Sequence, residues 1–562
     1  MRARTTTLRG LGFACFALAT LSLGAAQQAP TPPDTPQEIF VGSVDVNVVN
    51  VDVYVTDEQG SPVPGLTIDD FEIEENGRRV AITNFYAVDG RKPVKPEPTE
   101  APAPPTEETS ADTVPDDQRL HLIVYIDNFN LRPFNRNRVL TDLRTFLRSE
   151  SKPGDRVMLV SYDRSLKIRR PFTTDVESVI DALFELDEVS AQGVHSDSDK
   201  RDAVERINRS ESAQEALSWA RSFADSAKND LQFTIGALRD IVGSMAGLGG
   251  RKAVVYVSDG LPMSPGEDLF YLVDQKYPNN GAISQVFSYD TSRRFEELAA
   301  LANANRVSFY TIDAAGLRVN SSADVQKSEA SPGTATFIDS MAIQNLQAPL
   351  RMLAERTGGF AVINRNRFKE SLTRIGTDFR SFYSLAYSPA HSGDGRYYKI
   401  EVKLKNPQKG WKIRHREGYR DKSSESQMTD GVLAALQFPY ASNPLDLTVT
   451  FGRPQAQEKL FLVPVEVKVP FKEIVLVQRG ELYEARAKLF VAAIDGESNT
   501  SPVQQIDLPI RIPAAEIEAA LKQEYTYTVS LLMRGGSQKV AVGLRDEIAG
   551  ANSFVSRTVR VP

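Results

Sequence analysis

Two stretches decide the fold: His121-Leu-Ile-Val-Tyr-Ile-Asp127 and Ala253-Val-Val-Tyr-Val-Ser-Asp259. Each runs through apolar residues and ends in an aspartate. Runs without polar alternation belong to strands buried on both faces, as in a parallel sheet covered by helices. Such sheets bind ligands at the carboxyl ends of their strands, so both runs deliver a carboxylate to that edge. Two carboxylates on one edge point to a cation.

Working outward, strand 121–127 leads into a helix over 134–149, with Val139, Leu140, Leu143, Phe146 and Leu147 on one stripe. Val157 to Tyr162 and Leu166 to Phe172 read as strands. Thr174-Asp-Val-Glu177 is a capping box opening the next helix. A further helix carries Ile235, Leu238, Ile241, Val242, Met245 and Leu248, and Gly249-Gly250 stops it. Strand 252–258, a helix near 294–303 and strand Val307 to Ile312 follow. This alternation, with right-handed crossovers, gives a doubly wound α/β domain with a mostly parallel sheet over 119–320. Residues 190–230 interrupt it as an insertion. Their alanine-rich helical stripe, from Ala213 to Ala227, either packs on its own domain or faces a partner.

The flanks alternate with period two. Over 39–90, Val51, Val53, Val55, Phe71 and Ile73 share one side, and Asn76-Gly77 marks a hairpin, which reads as a small β-sandwich-like module. Residues 91–118 are rich in proline, threonine and acids and read as a disordered linker. Residues 321–422 add a helix–strand unit, with Pro349 in the helix's first turn and Gly358-Gly359 at its stop, and then a β-region. Residues 430–562 carry strands at 445–451, 460–469, 485–493, 525–533 and 553–561, a C-terminal β-sandwich.

The 562 residues suffice for three or four domains of about 150 residues each. Arg2, Arg4 and Arg9, the apolar run Leu11 to Leu23 and Gly24-Ala25-Ala26 compose a signal peptide over 1–26. The expectation is an exported chain, periplasmic or secreted, without a later transmembrane segment. The sole cysteine, Cys15, lies in that peptide, so the mature chain has no disulfide, thiolate metal site or cysteine nucleophile. Losing three arginines and no acids takes the net charge from −7 to −10. An acidic chain without a basic block argues against nucleic acid and anionic membrane as partners.

On these residues the central region resembles a von Willebrand factor type A domain. The strand ending in Asp127 is similar to the family's first metal-motif strand, and Ser258-Asp259-Gly260 to its later aspartate motif. Tyr383-x-Leu-x-Tyr387-x-Pro389, Arg416-Glu-Gly-Tyr419 and the overall layout resemble exported bacterial proteins with a divergent type A domain. The resemblance implies Mg²⁺ or Mn²⁺ held by Asp-x-Ser-x-Ser with a threonine and an aspartate from later loops, one position being left for a partner's carboxylate. This chain departs from the motif, with Phe129 and Leu131 at the serine positions. Asp127, Asn130, Thr234 and Asp259 remain as a degenerate set. Either they hold a weakened divalent site or the aspartates cap loops. Losing two of about six oxygens weighs toward no bound ion. Asp313 lies on the same edge outside any motif position.

No catalytic constellation stands out. His121, His195, His391 and His415 have no metal-ligand spacing, and no Gly-x-Ser-x-Gly elbow is present. The expectation is a non-catalytic, exported, adhesion-type protein that binds a protein partner at the carboxyl edge of the sheet. The alternatives are a divalent-metal-dependent envelope enzyme and a structural component of a surface assembly.

Overall fold

The computed structural model describes residues 48–89, 92–94, 119–318, 332–438, 442–497 and 499–562. The signal-peptide reading of 1–26 and most of the linker reading of 91–118 lie outside them. Lys92–Val94, inside the expected linker, is a strand paired with Asn84–Asp89, so the boundary read at 91 falls within a hairpin.

The centre is a six-stranded sheet. Its strands, in chain order, are Leu120–Ile126, Arg156–Tyr162, Leu166–Thr173, Arg251–Ser258, Val307–Asp313 and Ala361–Val362. Across the sheet they lie in the order 3-2-1-4-5-6, the doubly wound order. All neighbours are parallel except strand 3, which runs antiparallel at the edge. Leu122, Val124 and Ile126 point to one face, where helices Pro133–Glu150, Val176–Asp187 and Lys369–Arg380 pack. Ile123 and Tyr125 point to the other, against Ala213–Ser244, Ser292–Ala304 and Pro332–Arg356. Continuous apolar runs were therefore required, because neither face of these strands meets water.

Two helical readings need correction. Ile235 to Leu248 is not a separate helix. It ends a 32-residue helix, Ala213–Ser244, that also contains the stripe expected in the insertion. Pro349 does not sit in a first turn but inside Pro332–Arg356. Proline cannot donate to the carbonyl four residues earlier, that of Asn345. That carbonyl accepts instead from Met263 N at 3.1 Å, so a neighbouring segment satisfies what the kink leaves open.

The flanking β-regions are not the separate modules the sequence indicated. Val49–Thr56 lies between Phe382–Tyr387 and Lys412–His415, with Val51 opposite Leu385 and Val55 opposite Ile413. Phe71–Glu75 pairs with Tyr397–Leu404. The first and later segments thus weave two antiparallel sheets around one core of Val51, Val53, Phe71, Ile73, Leu385 and Val402. The reason is area: a few short strands cannot bury enough apolar surface alone. The central α/β unit is inserted between the two halves of this composite β unit.

Beyond it, Ser424–Gln437 is a helix where only strands were expected. It packs Ala434 against the central unit and Met428, Val432 and Ala435 against the last β-region. That region holds two further antiparallel sheets around a common core, including strands Gln504–Pro513 and Gly536–Asp546 that the sequence reading passed over. No helix among the described residues is long and apolar enough to cross a membrane.

Candidate functional site

Strands 1 and 4 are neighbours, and Ile126 is level with Val257. Asp127 and Asp259 therefore leave the sheet on one rim, at the point where the strand order reverses. Asp313, ending strand 5, lies level with Ser258 on that rim. In doubly wound sheets this crevice is the ligand position.

The three carboxylates face different partners. Asp127 is fully buried. Its Oδ2 accepts from the Tyr256 hydroxyl, from Ser258 Oγ at 3.2 Å and from Asn130 Nδ2 at 2.9 Å. Its Oδ1 accepts from Asn130 N at 3.3 Å. Burial raises its pKa, and these hydrogen bonds oppose the rise. Asp259 accepts through Oδ2 from Arg132 N at 2.8 Å and Asn135 Nδ2 at 2.9 Å, while its buried Oδ1 meets no protein donor. Burial pushes this carboxyl up to about 6. Asp313 accepts from Arg318 Nη2 at 3.0 Å and from Gln347 Nε2 at 2.9 Å. The same Arg318 nitrogen also donates to the Asp259 carbonyl.

The expected ligands are placed as follows. Asn130 is beside Asp127 but offers it the amide NH₂, the donor end of the side chain. Thr234 does not precede a helix. It is buried inside Ala213–Ser244, and its hydroxyl donates back to the Asp230 carbonyl at 3.2 Å. Leu131 fills one face of the core, and Phe129 packs on the other, with its ring 6.2 Å from that of Tyr162. A hard divalent cation needs about six oxygens with free lone pairs. Here the carboxylates accept from N–H and O–H groups, Arg318 supplies the positive charge, and among the described residues the three rim carboxylates do not gather their oxygens within 4.8 Å of one another. One open oxygen, Oδ1 of Asp259, is a single ligand. The residues present do not fit a type A ion site.

A helical cap adjoins the rim. Gly193–Arg209, the first half of Ala213–Ser244, Glu267–Lys276 and Ala282–Val286 share a core of Ile207, Ala216, Ala220, Phe270 and Val273. Lys276 Nζ donates to the Asn208 and Ser210 carbonyls at 2.6 and 2.7 Å, closing the cap internally. Arg132 binds Asp197 through Nε and Nη2 at 2.6 and 2.9 Å, and Gly193 N donates to the Leu131 carbonyl at 3.0 Å, fastening the cap to the first rim loop. The second rim loop turns at Gly260, whose φ of 112° and closeness to Leu346 leave no room for a side chain.

Large apolar side chains are exposed around this rim. Phe134 begins the helix after the first loop and is 77% exposed, and Leu317, four residues past Asp313, is 57% exposed. Phe287 lies next to the cap helix Ala282–Val286 and is 81% exposed. Phe233 (61%) precedes Thr234, and Phe337 (57%) meets the ring of Tyr271 in the cap. Sequence reading missed this set because single apolar residues between polar ones carry no periodic signal.

No family model and no curated protein matches the chain. Among solved structures it is similar to BatB from Bacteroides thetaiotaomicron, at 11% identity over 46% of this chain and 96% of that one, TM-score 0.21. It is also similar to manganese-loaded TRAP from Plasmodium vivax, at 10% identity over 54% and 94%, TM-score 0.23. A third likeness is to the PilB minor pilin of Streptococcus sanguinis, at 10% identity over 60% and 88%, TM-score 0.25. At these identities and scores the likenesses add nothing to what the strand order and the rim establish.

Proposed function

We propose that this chain is an exported, non-catalytic interaction protein that grips a protein partner at the carboxyl rim of its central sheet, through the cap and without a bridging metal ion. The observation that carries this reading is the exposed phenylalanines. Four of the five exposed phenylalanines among the described residues, Phe134, Phe233, Phe287 and Phe337, lie on segments around the rim, while the rim's own charges are paired inward. Exposed aromatic residues near a rim are the usual anchors of a binding surface. Two of the four histidines have structural places. His121 is buried, and desolvation with the nearby Arg156 and Lys252 lowers its pKa to about 3, so it is a neutral core residue near pH 7. His415 Nε2 accepts from Val402 N at 3.1 Å and serves the β unit.

The test is recovery of partners from envelope fractions by wild type, by Phe134→Ser with Phe287→Ser, and by Arg318→Gln. Loss of the partner in the double serine variant, with retention in the presence of chelator, is the expected result. Equal recovery by the double variant would remove the rim from the mechanism. Recovery abolished by chelator would favour an ion-bridged contact instead.

A further inference from the structure

The composite β unit holds a second charged cluster, and here the groups face one another. His391 lies in the loop after Phe382–Tyr387, and Asp421 follows the strand Gly418–Arg420. Asp421 Oδ2 is 2.8 Å from His391 Nδ1, and Asp394 N lies 3.4 Å from the same oxygen. Asp394 is exposed, with Oδ1 accepting from Arg396 N at 2.9 Å and Oδ2 from the Tyr398 hydroxyl at 2.5 Å, and ligand atoms of His391, Asp394 and Asp421 all lie within 4.8 Å of one another, the one such grouping among the described residues. On the far side of the imidazole, Nε2 is 3.2 Å from Glu75 Oε2. Glu75 is itself fixed, its Oε1 accepting from the Tyr387 and Tyr419 hydroxyls at 2.8 Å each. The Tyr398 ring stacks on the imidazole at 3.6 Å and 8°.

We propose that His391 Nδ1, Asp421 and Asp394 bind a divalent transition ion of the zinc class, with Glu75 orienting the histidine from behind. Two donors about 2.1 Å from one tetrahedral ion lie about 3.4 Å apart, so the His391–Asp421 hydrogen bond at 2.8 Å would open by about half an ångström as the ion replaces its proton. One imidazole with two carboxylates suits zinc better than magnesium, which prefers oxygen alone. Histidines that bind metal characteristically give their other N–H to a carboxylate, and that is the Glu75 contact. Binding releases the proton shared by Nδ1 and Asp421 to solvent, keeps the other proton on Nε2 where it is donated to Glu75, and leaves further positions for water on the exposed Asp394 side. All three ligands come from beyond residue 390, and the Glu75 contact ties the liganding histidine to the first half of the β unit.

The experiment is calorimetric titration of the chelator-treated full mature chain with ZnCl₂ and, separately, MgCl₂, followed by the Co²⁺ absorption spectrum. One zinc per chain is expected, with magnesium at least tenfold weaker. Asp394→Asn is expected to weaken zinc at least tenfold with an unchanged thermal melt of the metal-free chain, and His391→Ala to abolish saturable binding. Glu75→Gln is expected to weaken zinc 10- to 100-fold while retaining the Co²⁺ spectrum. No saturable zinc heat in the wild type, magnesium binding as tightly as zinc, or equal affinity in Asp394→Asn and His391→Ala would each overturn the proposal. So would loss of binding in Asp259→Ala with full binding in His391→Ala, which would move the ion to the sheet rim.

Discussion

The sheet rim and the His391 cluster use the same chemical groups to opposite ends. At the rim, Asp127, Asp259 and Asp313 are each met by donors: a tyrosine hydroxyl, serine, backbone N–H groups, amides and Arg318. In the β unit, Glu75 and Asp421 approach one histidine from both sides, and the exposed Asp394, which accepts from Arg396 N and the Tyr398 hydroxyl, brings its oxygens to the same point. Carboxylates that meet an arginine and do not gather their oxygens at one point are structural, however well their positions match a motif. Carboxylates that converge with an imidazole on one point are equipped to hold a cation. Convergence of the donors decides the role, and sequence position does not.

The sharpest way to break this comparison is Asp127→Ala. It strands the buried hydroxyls of Tyr256 and Ser258 and the Asn130 amide. It should lower stability by about 3 kcal/mol or more, as expected when a buried hydrogen-bonded charge network loses its acceptor. Urea unfolding checks this, and a loss below about 1 kcal/mol would mean that the carboxylate is held ready for something other than its present partners.

Asp259 gives the next effect, with a definite sign. Its folded-state pKa is raised by burial from 3.8 to about 6, so between those values the folded chain binds a proton that the unfolded chain has released. Stability contributed by this group is therefore greatest below about pH 4 and falls as pH rises through about 6. The difference approaches 3 kcal/mol at about 1.4 kcal/mol per pKa unit. Asp259→Asn should flatten that dependence and stabilise the protein above pH 7, as followed by thermal melts over pH 4–8. An unchanged pH profile would show that the carboxylate meets a cation in solution.

Smaller effects separate the cap from the core. Arg132 and Asp197 are a largely exposed pair, so Arg132→Ala should cost no more than about 1 kcal/mol globally. It should nevertheless speed hydrogen exchange over Gly193–Arg209, because the same pair fastens that helix to the rim loop. Smallest of all, Phe287→Ser should leave unfolding within about 0.5 kcal/mol of wild type, since the ring is exposed. A larger loss would mean that Phe287 packs rather than presents itself.

Much of the central architecture was legible. Leu120–Ile126 and Arg251–Ser258 announce themselves as doubly buried strands, and Pro133–Glu150 by its apolar stripe, because burial on both faces or on one stripe writes a local pattern. That Asp127 and Asp259 share a rim also followed, since parallel neighbours end at the same side. Phe129 and Leu131 already announced the departure from the metal motif. Less legible was Thr234: the helix it sits in begins at Ala213, and an alanine-rich stripe hides continuity across a supposed insertion. The antiparallel direction of Leu166–Thr173 was also hidden, because alternation encodes which face is buried and not which way a strand runs.

By itself, then, the sequence determined the local periods: which segments are strands or helices, which faces are apolar, and that two aspartates follow two buried strands. Only the tertiary structure decided that residues 49–94 and 382–420 build one β unit around an inserted α/β unit. Only it brought Glu75 to His391 across more than three hundred residues, and set Arg318 beside Asp313 and Asp259. The physical reason is that periodicity records burial along a short stretch of chain. Strand pairing and the partners of a charge depend on segments far apart in sequence, and no local pattern encodes which of them will meet.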